Sequence, residues 1–416
     1  MSFSEWREVK VSEIGKIVTG KTPKTAISEN YGGNIPFLTP SDDMNIKKVK
    51  STARTLSEMG LNSVKNCLLP AKSICVSCIG SDLGKVVLTS EPTVTNQQIN
   101  SIVPDEKFDP DFIYYGMTIL GKHLNYLSKT STAVPIINKT TFSNFSIIVP
   151  SIEEQKAIAH ILSTLDDKIE VNNQINKTLE NMAQAIFKQW FVDFEFPNED
   201  GEPYKSSGGE MIASELGMIP KGWEVVHLKD KLNFERGIEP GSKNYSKTYF
   251  ERSIPFYRVG DMLGIAGNYV DKNLINDKTL KTRDVAVSFD GTVGRVVTGL
   301  RGSYSTGIRK IYAKKGEYFP NCFIYFLFKT EFIQSTIMQY AVGTTILHAS
   351  ESIEYLAIPY HEEIIKKFVP IIEAIFNTIV NKKKENESLS NTRDILLPKL
   401  MSGEIRVLLE EEGDAS

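Results

Sequence analysis

The chain is written twice, and a long-period repeat constrains architecture more than any local propensity does. Glu5-Trp6-Arg7-Glu8-Val9 is echoed by Gly222-Trp223-Glu224-Val225-Val226. Asn34-Ile35-Pro36-Phe37, followed by Ser41-Asp42-Asp43-Met44, returns as Ser253-Ile254-Pro255-Phe256, followed by Gly260-Asp261-Met262. Val76-Ser77-Cys78-Ile79-Gly80 and Gly84-Lys85-Val86-Val87 return as Val287-Ser288-Phe289-Asp290-Gly291 and Gly294-Arg295-Val296-Val297. Ile148-Val149-Pro150 returns as Ala357-Ile358-Pro359, each opening a long helical stretch. Short β-rich runs punctuated by Gly, Pro and Asn fill roughly the first 150 residues of each copy, which predicts a compact mixed α/β globule.

The helical stretches carry a stricter signal. From Ile158 the seam positions Leu162, Leu165, Ile169, Asn172, Asn176, Leu179, Ala183, Ile186 and Trp190 advance by alternating steps of four and three. The second copy gives Phe368, Ile372, Ile375, Ile379, Lys382, Asn386, Leu389, Arg393, Leu396 and Leu400, each 210 residues after its counterpart. A period of 3.5 requires a partner helix and a left-handed supercoil. Each seam is broken at its middle by a polar pair, Asn172 with Asn176 and Lys382 with Asn386. Pairing the two helices brings polar layer onto polar layer in either direction, so periodicity alone does not choose between parallel and antiparallel. Buried polar seam residues fix register at a cost in stability, and Lys382 has a second reading, in which it snorkels out of the seam. At ~1.5 Å per residue the seam is about 50 Å long, the length of a ruler whose two end globules could address duplex DNA about one helical turn apart.

At 416 residues two or more domains are expected. The net charge of −3 is segregated. Residues 1–150 hold 16 basic against 13 acidic groups and residues 222–358 hold 18 against 14, whereas 193–221 hold 2 against 7 and 402–416 hold 1 against 5. Two mildly basic globules, an acidic linker and an acidic tail result, a distribution that permits nucleic-acid binding without proving it. The longest aromatic-aliphatic run, Cys322 to Phe328, is too short to span a bilayer, and a cytoplasmic location is expected. Four cysteines make no disulfide framework. The spacing of Cys75 and Cys78 on a strand sends their thiols to opposite faces, which favours a role as small buried hydrophobes over metal binding.

Three passages make the pattern specific: Pro150-Ser-Ile-Glu-Glu-Gln155-Lys-Ala-Ile158, Phe187-Lys-Gln-Trp190-Phe-Val-Asp193-Phe, and Leu396-Leu-Pro-Lys-Leu400-Met-Ser-Gly403-Glu-Ile405. With the doubled Trp and Ile-Pro-Phe…Asp-Met blocks, the whole chain resembles the specificity subunit of Type I restriction-modification systems. The resemblance implies two target-recognition domains, 1–150 and 222–358, alternating with spacer helices 151–192 and 359–401 that pair as an antiparallel coiled coil with pseudo-two-fold symmetry. An acidic linker, 193–221, and an acidic tail, 402–416, complete the expected layout. It further implies that each domain reads one half of a split, asymmetric site in double-stranded DNA. Two methyltransferase subunits and ATP-dependent restriction subunits would be the partners, with S-adenosylmethionine, ATP and Mg bound by those chains. One departure is that the second Pro-opened helix has Ile364 where the first has Gln155.

No catalytic centre is expected in this chain. It lacks a phosphate loop of the GxxxxGK[ST] type and an Asn/Asp-Pro-Pro-aromatic methyltransferase motif. Its five histidines show no triad or metal spacing. Base-edge readout calls for Arg, Asn and Gln, with Lys, Ser and Thr on phosphates. The glycine-punctuated loops of the first globule offer Lys21, Thr22, Ser41, Asp42, Ser77, Ser81, Lys85, Asn96, Gln97 and Lys139. Those of the second offer Tyr257, Arg258, Asp261, Ser288, Thr292, Arg295, Tyr304, Ser305, Arg309 and His348, with Arg295 and Arg309 favoured for guanine. Phe187, Trp190 and Phe191 form an apolar cluster expected to be partner surface. Two other readings remain at this point: a coiled-coil scaffold or adaptor without DNA contact, and the recognition module of a Type II enzyme.

Overall fold

In a computed structural model, residues 5–80, 82–130, 136–264, 266–344 and 346–407 are described. The chain divides into two compact units, Met1–Lys168 with Leu389–Ser416, and Ile169–Ser388. Both boundaries fall inside long helices, so each unit takes a piece of each helix.

In the first unit the central sheet has the strand order Gly15–Thr19, Ile99–Pro104, Ile74–Ser77, Val86–Thr89, Lys48–Val49. All neighbours are antiparallel except the last pair. Ile74, Val76, Val86 and Leu88 pack on Phe112, Ile113 and Met117 of the helix Pro110–Thr130. Cys75 and Val87 face Leu38 and Leu69 on the other side. Strands covered on both faces are apolar at every position rather than at alternate ones. The thiols of Cys75 and Cys78 accordingly enter different cores, and burial pushes Cys75 up to about 12. A second sheet runs Thr55–Leu56, Tyr31–Leu38, Thr93–Thr95, Leu68–Leu69.

The second unit repeats this plan. Its central sheet is ordered Leu232–Arg236, Ile308–Ala313, Val285–Ser288, Val296–Val297, and its second sheet Asn268–Asp271, Ser253–Tyr257, Gly302–Tyr304, Thr279–Leu280. In both units the second sheet has one parallel pair at the same place, Tyr31–Leu38 with Thr93–Thr95 and Ser253–Tyr257 with Gly302–Tyr304. A strand after the Trp closes against the strand before each long helix, Arg7–Lys10 on Ser146–Val149 and Glu224–His227 on Ala357–Tyr360. Among the described residues no helix is long and apolar enough to cross a membrane.

The long helices Ile152–Phe191 and Glu362–Met401 are each 40 residues, and their starts are 210 apart, as the seams require. Every seam residue is buried or half-buried. Direction is settled inside each unit. In the first, Glu154 takes the Arg406 guanidinium through both oxygens, Nε at 2.6 Å and Nη2 at 2.8 Å, while Asp166, later in its helix, meets the earlier Arg393 at 2.7 Å. In the second, Asn172 donates to Asn386 at 2.8 Å, while Trp190 packs on Phe368 with centroids 5.3 Å apart. As one number rises the other falls, so the pairing is antiparallel in both.

The polar layer is more lopsided than the spacing predicts. Asn386 receives from Asn172 and donates to Asn173 at 2.8 Å, but Lys382 turns along its own helix to Glu385 at 3.0 Å, the snorkelling outcome. Asn172 and Asn176 are buried, and the carbonyl oxygens of both accept no hydrogen bond among the described residues. Arg393 with Asp166 forms a further polar layer that the midpoint break did not reveal. Each globule is fastened to a helix by a tyrosine, and the two tyrosines lie 210 apart. Tyr115 donates to Asp166 at 2.6 Å, and Tyr325 donates to Glu180, whose other oxygen holds Lys329 at 2.7 Å.

Several expectations need correction. Phe187, Trp190 and Phe191 are not surface: Phe187 is 2% exposed, and the cluster packs on Phe323, Phe368 and Trp223 in the core of the second unit. Segment 193–221 is acidic yet partly folded in, with Phe194, Phe196 and Ile219 in that core and a hairpin of Met211–Ser214 on Gly217–Pro220. Residues 402–407 return to the first unit, where Arg406 lies over Trp6 as well as on Glu154. Gln155 is a structural tie, accepting from the Asp109 backbone at 3.0 Å and donating to the Pro150 carbonyl at 3.0 Å. By helix phase its counterpart is the buried Ile365 rather than Ile364.

Two substitutions test this packing by urea unfolding. Phe187→Ala should cost about 3–5 kcal/mol by opening a cavity, whereas an unchanged stability would return it to the surface. Asn176→Leu should raise stability by about 1–3 kcal/mol, because it removes a buried carbonyl without a partner; a loss would show that this oxygen is satisfied.

Candidate nucleic-acid interface

The antiparallel order of the central sheet sends particular loops to one end. In the first unit, the loops after Gly15–Thr19 and Ile74–Ser77 and those before Ile99–Pro104 and Val86–Thr89 emerge together. They are knit by backbone bonds. Gly20 donates to Ile99 at 3.1 Å, Asn96 to Leu38 at 3.1 Å, Cys78 to Gln98 at 2.8 Å and Ile137 to Cys78 at 3.0 Å. Asp42 caps its own turn by accepting from the Thr39 backbone at 2.8 Å.

The second unit uses the same wiring at matching positions. Gly237 donates to Ile308 at 3.2 Å, Ser305 to Tyr257 at 2.9 Å, Phe289 to Gly307 at 2.9 Å and Ala349 to Phe289 at 2.8 Å. Asp261 accepts from the Arg258 backbone at 2.9 Å. Glycine is required at the matched positions 20 and 237, since a Cβ there would lie 2.2 Å from the carbonyl oxygens of Asn96 and Tyr304. Identical backbone wiring presenting different side chains is what a variable reader needs, because the frame positions and the side chains specify.

The candidate residues separate by burial. Exposed or half-exposed at this end of the first unit are Lys21, Thr22, Ser41, Lys85 and Gln97, with the exposed Lys139 just beyond the knit Ile137. Thr22 donates to Gln97 at 2.7 Å, and Lys85 pairs with Asp82 at 2.6 Å. In the second unit the exposed or half-exposed set is Arg258, Thr292, Arg295 and His348. Arg295 spends one nitrogen on the Val259 carbonyl at 3.1 Å, and His348 sits on Asp290 at 2.8 Å. Asp42 and Asp261 are half-buried and engaged with their own turns.

Other candidates lie inside. Ser77, Asn96, Tyr257, Ser288, Tyr304, Ser305 and Arg309 are buried. Ser288 donates to the Thr292 carbonyl at 2.6 Å and accepts from the Arg295 backbone at 2.9 Å, shaping the turn that carries both. Tyr304 donates to Glu235 at 2.6 Å, and burial together with that carboxylate raises its pKa. Arg309, 6% exposed, bonds the Thr306 carbonyl at 2.5 Å and Ser350 at 2.9 Å. Buried and bonded in this way, it serves as an internal strut, and burial with the nearby Arg236 lowers its pKa. Ser81 lies outside the described residues. Residue types alone missed the exposed Arg236, whose Nε donates to the Thr306 carbonyl at 3.3 Å. Its place immediately before Gly237, the counterpart of Gly20, was the available signal.

A family model described as the Type I restriction modification DNA specificity domain matches residues 3–181 and again 220–391. The specificity subunit of the Type I restriction enzyme MjaIX of Methanocaldococcus jannaschii is 30% identical over 427 residues, covering 97% of this chain and 94% of that protein. The HindI specificity subunit of Haemophilus influenzae is 38% identical over 188 residues, 44% of this chain and 40% of that protein. Among solved structures, the Type-I restriction-modification S subunit from M. genitalium aligns with a TM-score of 0.53 at 16% identity, covering 95% of this chain and 96% of that one, a likeness of fold. Two matched domains and an aligned relative over nearly the full length place this chain in the family of Type I restriction-modification specificity subunits.

Proposed function

We propose that each unit reads one half of a split, asymmetric duplex site through its knit loop end, and that the paired helices set the spacing between the half-sites. The observation that carries this reading is the shared wiring itself: matched backbone bonds knit the loops beside which Lys21, Thr22 and Gln97 are carried in one unit and Arg236, Arg258 and Arg295 in the other. Different side chains on one frame fit two different half-sites, with Arg suited to guanine and Gln to adenine.

The chain acts in this reading as a non-catalytic guide. Two methyltransferase subunits would dock on it and carry S-adenosylmethionine, and restriction subunits would carry ATP and Mg. With Phe187, Trp190 and Phe191 in the core, docking falls to helix surface such as Val171, Ile175 and Met182, which are exposed. The helix pair alone would also suit an adaptor, but an adaptor has no use for loop ends whose frames match while their side chains differ.

Gel shifts of the full chain with its methyltransferase partner test this reading. Affinity for duplex DNA should fall steeply between about 50 and 200 mM salt. Arg258→Ala should cost ~1–3 kcal/mol and relax one base position in a single half-site. Salt-independent binding, or none, would contradict the proposal, and a uniform loss over all sequences would mark Arg258 as a phosphate contact.

A further inference from the structure

An apolar ribbon stands beside the loop end of the second unit. Val342 and His348, which follow the helix Glu331–Gln339, exchange backbone bonds at 3.0 and 2.8 Å. Gly343 makes this exchange possible, since its φ is +126° and a Cβ would lie 2.1 Å from the Ile346 carbonyl oxygen. The returning arm, Leu347–His348, pairs with Asp290–Gly291, directly before the exposed Thr292.

Strand alternation divides the ribbon into two faces. Leu347 and Ala349 point inward, packed with the core of the unit. Val342, bridged across to His348, and Ile346, just before the strand, are 61% and 55% exposed. Beside a polar loop cluster, these two β-branched apolar side chains leave more than half of their surface to water. The first unit places a similar feature at the matched position: Ile136, adjacent to the knit Ile137 as His348 is to Ala349, is 67% exposed.

The major groove admits a two-stranded β-ribbon, and the one apolar group displayed there is the thymine C5-methyl. We propose that Val342 and Ile346 are specificity residues that recognise thymine methyl groups in the half-site read by the second unit. This rests on the proposed DNA reading and adds to it a base identity and the residues responsible. His348, held by Asp290, is placed to contact the neighbouring base edge or phosphate.

The test replaces each thymine of the second half-site with deoxyuridine, which removes only the methyl, and measures Kd of the full chain with its methyltransferase partner. The half-site is taken from the split methylated motifs found by sequencing the methylated genome of the host. Burying one methyl corresponds to about 0.8 kcal/mol, so one or two of the substitutions should weaken binding about fourfold. Val342→Ala or Ile346→Ala should bind the thymine duplex as weakly as the unaltered chain binds the uracil duplex, with the thymine preference gone. Equal affinity of the unaltered chain for both duplexes, a half-site without an A·T pair, or a preference that survives both substitutions would overturn the proposal. Variants that impair assembly with the partner while keeping the preference would make this face a protein contact instead. Failure to bind even the unmodified site would defeat the DNA reading itself, and this inference with it.

Discussion

Neither long helix buries its seam within its own half of the chain, and that constraint organises the rest of the structure. The first unit is completed by Leu397, Leu400 and Met401 from the second helix, which join Ile158 and Leu162 of the first. The second unit is completed in turn by Ala183, Phe187 and Trp190 from the first helix, packed with Phe368, Ile372 and Phe376 of the second. A 3.5-residue apolar stripe demands such a partner, and antiparallel pairing supplies it twice from one chain. Each unit therefore draws on both halves of the repeat, and a duplicated sequence folds into units that do not follow one another along the chain.

On that base, the globules need only hold loops. Each is fastened to a helix by a tyrosine on a carboxylate, and each directs one end of its central sheet outward. Each loop end is fixed mainly by main-chain bonds and by one aspartate that caps its own turn, Asp42 or Asp261. Such a frame tolerates exchange of the outward side chains, because few of the bonds that shape it depend on them. The internal polar residues do the shaping: Ser288 forms the turn, Arg309 braces Thr306 and Ser350, and Tyr304 ties to Glu235.

The repeat, the helix lengths, the seam and the separation of Cys75 from Cys78 were legible in the sequence, because periodicity and strand alternation are direct consequences of backbone geometry. Helix direction came only from the family resemblance, since a central polar layer is compatible with both orientations. Phe187, Trp190 and Phe191 read as surface because their partners, Phe323, Phe368 and Trp223, are remote in sequence. Residue type pointed to the loops but could not separate Arg258, which faces solvent, from Arg309, which faces the core. Both are arginines beside turns, and only the third dimension distinguishes an exposed guanidinium from a buried strut. Arg236 was overlooked because what marks it is its place in the repeated frame rather than a local motif.

The central claim is that one chain carries two separate DNA-reading ends. Hydroxyl-radical footprinting of the full chain with its methyltransferase partner on its own target duplex tests this most directly. The account predicts two protected tracts centred about one helical turn apart, with Arg258→Ala diminishing one and leaving the other. A single uninterrupted tract, or loss of both tracts together, would contradict it.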